Sequence, residues 1–226
     1  MRDIINLFKE RKKEVEIYFE HVKNAWSDNA HITFRDDSKT QHQIKLSLDL
    51  KQILLANTFL LLYNLVECTI SGALEAIYKD IKNQKVPYDK IKLNIQEEII
   101  SNIKNNVNAN DFVTVIGDIA IDILEHHPKR NKFFSGNVDA RRIKGIAKKY
   151  GFSIDTDARE TNDGAALVKV KDNRNDLAHG FISFKECGQD RSILEMEKIK
   201  NQSLLYIEQI LNNIDDFVKN KKYLKS

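Results

Sequence analysis

From Arg2 to about Ala25 the apolar residues Ile4, Ile5, Leu7, Phe8, Val15, Phe19 and Val22 recur at helical spacings, and charges fill the positions between them. That pattern predicts a helix that packs along one side. It lapses between Trp26 and Lys45, where Ile32, Phe34 and a polar turn over Asp36 to Lys39 predict a short loop or hairpin insertion, residues 27–45. A second helix is predicted from about Leu46 to Asn83, apolar almost all round between Ile53 and Val66, as expected for a helix covered by neighbours on several sides. Pro87 breaks it, and a weaker helix follows over Tyr88 to Val107. A fourth, from Asp111 to about His127, carries Phe112, Val115, Ile116, Ile119, Ile123 and Leu124 and is stopped by Pro128. Ile143, Ile146 and Ala147 supply the inward stripe of a further helix, with Asp139 placed to cap its start. After a polar connection from Ser153 to Asp163, Gly164 precedes a helix over Ala165 to His179. In it Leu167, Val168, Val170 and Leu177 face the core while Arg174 and Asn175 face a cleft. The last helix, roughly Ser192 to Lys219, has Leu204, Ile207, Leu211, Ile214 and Val218 at alternating spacings of three and four, with Ile210 and Phe217 beside them. Core packing is the commoner use of such a stripe, and a dimer seam is the alternative.

Eight Gly and two Pro in 226 residues, with 31% charged and 42% hydrophobic side chains, fit an all-α globular domain rather than a disordered chain. The length suits a single domain, 1–226, ending in a basic tail, 220–226. Cys68 falls in the second helix and Cys187 in a loop, and neither neighbourhood suggests a bridge; both read as reduced thiols in a cytoplasm. The amphipathic, charged N-terminus lacks the apolar core of a signal peptide. The run from Ile53 to Val66 is shorter than the roughly 20 residues of a membrane span, and Asn57 and Asn64 interrupt it, so no membrane partner is expected. Glu67 and Asn64 would need partners if buried: either a group from the helix ending at His179, or water at the rim.

The net charge of +3 decides little, but its distribution does. Lys129, Arg130, Lys132, Arg141, Arg142, Lys144, Lys148 and Lys149 face only one acid, Asp139, between residues 129 and 149. Such a segment suits phosphates of a nucleic acid, with Arg141, Arg142, Lys144 and Lys148 as the candidate contacts; a solvated helix face is the alternative. Phe133, Phe134 and Tyr150 are either stacking surfaces or core, and the basic side chains are the favoured functional part. No Gly-rich phosphate loop occurs. His21, His31 and His42 share no metal-ligand spacing, and the adjacent pair His126 and His127 lacks the partners of a zinc motif, so no metal and no cofactor are expected.

Chemistry is concentrated between Lys171 and Gly188, in K-D-N-R-N-D-L-A-H-G-F-I-S-F-K-E-C-G. On a helix advancing about 100° per residue, Asn175 and His179 share a face, while Arg174 lies roughly 140° from His179 and has to reach. Gly180 is the residue type expected where the helix stops, leaving the imidazole in a frayed, accessible last turn. An imidazole can take and give a proton near neutral pH, and a guanidinium can hold phosphate oxygens as charge builds on them. Together they can cleave a phosphodiester without metal. Alternatively, both are surface residues and the His complements the helix dipole. Lys171, at the start of this stretch, is a further candidate phosphate contact.

R-N-D-L-A-H-G, from Arg174 to Gly180, resembles the R-x4-H signature of HEPN domains, all-helical ribonucleases and nucleotide-binding modules. The continuation L-A-H-G-x-x-S-F-x-E-x-G through Ser183, Phe184, Glu186 and Gly188 resembles a small stand-alone branch from prokaryotic defence and toxin loci. L-Y-N-L-V-E, Leu62 to Glu67, and G-N-V-D-A-R-R-I, Gly136 to Ile143, fit the same branch. The resemblance implies an all-α helical bundle acting as a metal-independent endoribonuclease, the toxin of a toxin–antitoxin or phage-defence system. Its partners would be RNA, a second protomer and a cognate antitoxin. Each cleft of the implied homodimer would hold two copies of Arg174 and His179 as the catalytic groups. Asn175 would orient the imidazole or hold phosphate, with Asp176 and Glu67 as weaker supporting candidates. Some HEPN proteins carry Tyr two residues after the His and are modified there by a partner nucleotidyltransferase; this chain has Phe181. A HEPN-like module that binds RNA or nucleotide without cutting it, or serves only as a structural partner, is the alternative.

Overall fold

The structure, a computed structural model, describes residues 1–106, 127–128, 133–134 and 136–225. The helix expected between Asp111 and His127 lies outside the described residues apart from its last position, as do His126, Lys129, Arg130 and Lys132. The described elements are α1 (Arg2–Ala25), β1 (His31–Arg35), β2 (Gln41–Lys45), α2 (Leu48–Asn83), a 3-10 turn at Tyr88–Lys90, α3 (Leu93–Asn106), α4 (Ala140–Tyr150), α5 (Ala158–Thr161), α6 (Ala165–His179), α7 (Phe184–Gln189) and α8 (Ile193–Lys219). The fold is all-α, with one two-stranded antiparallel ribbon among the described residues.

Two compact units divide the chain, and both draw on α1, α2 and α8. The first comprises residues 8–66 and 157–206. Its buried side chains include Phe8, Val15, Phe19 and Val22 of α1, Leu55, Phe59, Leu62 and Tyr63 of α2, and Leu167, Val170 and Leu177 of α6. The one-sided stripe predicted for α1 is therefore the stripe that is covered. The ribbon pairs Ile32 with Ile44 and Phe34 with His42, and every strand residue is exposed. Isolated hairpins are marginal. This one is drawn together by Asp36, whose carboxylate accepts from Ser38 Oγ (2.6 Å) and Thr40 N (2.9 Å) and lies 2.8 Å from His42 Nε2. The Ser38 and His42 contacts hold the Asp36 carboxyl below the usual carboxylate range.

α7 was not foreseen, although its start signal stands in the sequence. Ser183 Oγ accepts from Glu186 N (3.1 Å), and Glu186 Oε2 accepts from Ser183 N (2.8 Å), a reciprocal capping box. Gly188 lies directly on α2: a Cβ there would sit 2.1 Å from the Gln52 carbonyl oxygen. Cys187 is buried beside it, its Sγ 3.4 Å from Asn173 Oδ1, and burial pushes its thiol up to about 11. Both cysteines are free, and Cys187 lies in a helix rather than a loop.

The second unit comprises residues 1–7, 67–156 and 207–226. α4 starts where expected: Asp139 accepts from Arg142 N at 2.9 Å. Phe133, Phe134 and Tyr150 are buried, so the aromatics of the basic segment are core, not stacking surfaces. The Tyr150 hydroxyl lies 2.7 Å from that of Tyr78. An aromatic chain continues through Phe152, Phe217 and Tyr223. The C-terminal segment is no loose tail. Tyr223 is fully buried and donates to Asp80 Oδ2 at 2.7 Å, Leu224 bridges Ile91, and Lys225 N donates to Lys90 O at 2.8 Å.

α2 runs 36 residues and contains an 18-residue window of mean hydropathy 1.7, so by length and composition it could cross a membrane. The length argument drawn from Ile53 to Val66 thus falls short. Burial explains the composition instead: Leu55, Phe59, Leu62, Ile70, Leu74 and Ile77 of α2 are all fully covered by protein. Asn64 is exposed and takes the rim reading; Glu67 is half-buried.

Candidate active site

α6 begins after Gly164, whose left-handed φ of 77° admits the chain from the turn that follows α5. Its buried positions Leu167, Val170 and Leu177 are spaced so that Arg174 falls on the same stripe, four after Val170 and three before Leu177. Arg174 therefore lies on the inner face of α6 and is half-buried there. Its guanidinium carbon lies 4.4 Å from the centroid of the Tyr63 ring, within cation–π range. Tyr63 is fully buried on α2, so the charge sits on a rigid aromatic floor. The Arg174 Nη1 donates to Asn175 Oδ1 at 2.8 Å. The Asn175 carboxamide oxygen thus holds the guanidinium, and no hydrogen bond joins it to the His179 ring.

His179 closes α6. Gly180 follows at φ 71°, its N–H donating to Leu177 O (3.3 Å), and Phe181 N donates to Asp176 O (2.9 Å). That pair of bonds is the Schellman motif, so the last turn is accessible but not frayed. His179 is exposed, and its ring lies 5.6 Å from that of Phe181, tilted 33° from parallel. Asp176 serves the turn through its carbonyl, and its side chain is half-buried.

Lys171 is mostly covered, its side chain 15% exposed and its ammonium 3.1 Å from Asp172 Oδ1. Arg141, Arg142 and Lys148 stand exposed on α4 and Lys144 is half-buried there; they belong to the second unit, as does Glu67. Arg141 Nη2 lies 3.7 Å from Asp139 and remains 81% exposed. Among the described residues no group of three or more His, Cys, Asp or Glu side chains gathers as a metal site.

Sequence reasoning missed Tyr63 and Gly188 as residues of consequence. Both stood inside quoted motifs, L-Y-N-L-V-E and S-F-x-E-x-G, and only their partners, Arg174 and Gln52, give them meaning.

The family model described as HEPN_MAE_28990-like HEPN matches residues 2–223, and the chain belongs to that family. No curated protein and no solved structure gives a match.

Proposed function

We propose that this HEPN protein is a cytoplasmic, metal-independent endoribonuclease that acts as the toxin of a toxin–antitoxin or phage-defence system. The observation that carries the reading is the division of labour at the end of α6: an exposed imidazole with no hydrogen bond among the described residues, and a guanidinium held on the Tyr63 face. His179 deprotonates a ribose 2′-hydroxyl or protonates the leaving 5′-oxygen, and Arg174 stabilises the pentacovalent phosphorane. The leaving group departs as a 5′-hydroxyl, and the 2′-oxygen becomes part of a 2′,3′-cyclic phosphate.

Within one α6 the two side chains start about 140° apart around the helix axis, which supports a cleft shared by two protomers. That one cleft would then hold both copies of Arg174 and of His179, so that an inactive partner impairs it. Mixing active chains with excess His179→Ala chains should depress activity beyond simple dilution once subunits exchange. Activity that falls only in proportion to dilution would argue for a self-sufficient protomer. The basic face of α4 would take flanking phosphates, and a cognate antitoxin would cover the site. Cleavage of unstructured RNA to cyclic-phosphate ends tests the reading; binding without turnover would leave a non-catalytic RNA-binding module instead.

A further inference from the structure

We propose that the ring of Phe181 is a stacking platform for a nucleobase of the RNA, set beside the His179 imidazole. The proposal rests on the ribonuclease reading and names the part of the substrate that this end of α6 grips. In a Schellman turn the residue after the glycine commonly folds its apolar side chain back onto the last helical turn. Phe181 occupies that position and does not fold back: it is 76% exposed. Its backbone is nevertheless fixed, by the 2.9 Å bond from Phe181 N to Asp176 O. A Cβ at Gly180 would meet nothing within 4 Å, so the space beside the turn is open.

Ala178, His179, Gly180 and Ser183 near it in sequence are exposed, Ile182 and Phe184 are half-buried, and the ring lies 5.6 Å from the imidazole, tilted 33°. A protein-docking surface would be a contiguous apolar area. One flat aromatic face beside a proton-transfer group matches a nucleotide, whose base lies one ribose away from the hydroxyl and phosphate that react. Every base has a π-face, so such a platform grips single-stranded RNA with little sequence preference.

The test uses the full-length chain and a short unstructured RNA made with 2′-O-methyl riboses, which blocks the nucleophile, and carrying 2-aminopurine as a stacking reporter. The wild type should bind it and quench the reporter. Phe181→Ala and Phe181→Leu should bind about 5- to 150-fold more weakly and lose the quench, whereas Phe181→Trp should keep both. Circular dichroism and sedimentation mass should not change. Wild-type binding and quenching in Phe181→Leu overturn the proposal, as does a fall in sedimentation mass for Phe181→Ala, which would make the ring a protomer contact. Failure of the wild type itself to bind RNA overturns the ribonuclease reading along with it, so the two failures are distinguishable.

Discussion

The guanidinium carbon of Arg174 lies 4.4 Å from the centre of the Tyr63 ring, and Tyr63 is fully buried. A permanent charge with several rotatable bonds is thereby held on a surface that cannot move. Tyr63→Leu removes the ring and should lower cleavage about 2- to 30-fold, the rate equivalent of a cation–π contact of ~0.5–2 kcal/mol. Tyr63→Phe keeps the ring face and should retain most of the activity. Single-turnover rates on one RNA, beside thermal melts to separate folding from positioning, check this; full activity in a folded Tyr63→Leu chain would remove Tyr63 from the site.

Gly188 permits α7 to lie on the α2 backbone. Gly188→Ala would place a methyl 2.1 Å from Gln52 O, where neither helix backbone can yield cheaply. The destabilisation should reach or exceed the upper end of the ~1–3 kcal/mol typical of overpacking. Urea titration measures it, and a change under about 0.5 kcal/mol would show that α7 can lift away.

Much of this was legible in advance, and the failures are specific. α1, α6 and α8 came within a residue of their observed ends because their apolar periodicity and their stops, Gly180 above all, are local signals. α7 is only six residues long, too short for periodicity to register, yet S-x-x-E marked its start. Arg174 was expected to face a cleft, and the spacing of Leu167, Val170 and Leu177 further places it on their stripe, but the Tyr63 ring it rests on could not be named. The pairing of Tyr63 with Arg174 joins residues over a hundred positions apart, which no local pattern encodes.

The capping box should be visible in acid. Its bonds from Ser183 hold the Glu186 carboxyl below its ordinary value. A carboxylate depressed in the folded state stabilises above its unfolded pKa, about 4.3, and that contribution disappears as pH falls through the lower folded value. The melting-temperature gap between wild type and Glu186→Ala should therefore be widest near neutrality and narrow below pH of about 4. A gap that is constant with pH would mean the carboxylate contributes no charge-dependent stabilisation. Ser183→Ala, removing the N-cap hydroxyl, should cost about 1 kcal/mol.

The basic face of α4 carries a separable prediction. Replacing Arg141, Arg142, Lys144 and Lys148 by Glu should weaken RNA binding and flatten its salt dependence, each lost phosphate contact removing roughly 0.7 from the log–log slope for single strands. An unchanged slope would return α4 to the role of a solvated helix.

The most direct measurement is cleavage of a defined unstructured RNA by the full chain in EDTA, with the product ends analysed and with His179→Ala and Arg174→Ala alongside. Metal-independent acid–base transesterification predicts that cleavage survives EDTA and yields 2′,3′-cyclic phosphate ends. It also predicts that 2′-deoxy at the scissile nucleotide blocks cleavage and that either substitution abolishes it while helical circular dichroism is retained. Cleavage that EDTA abolishes and magnesium restores, cleavage of the 2′-deoxy substrate, or full activity in folded His179→Ala would contradict the account.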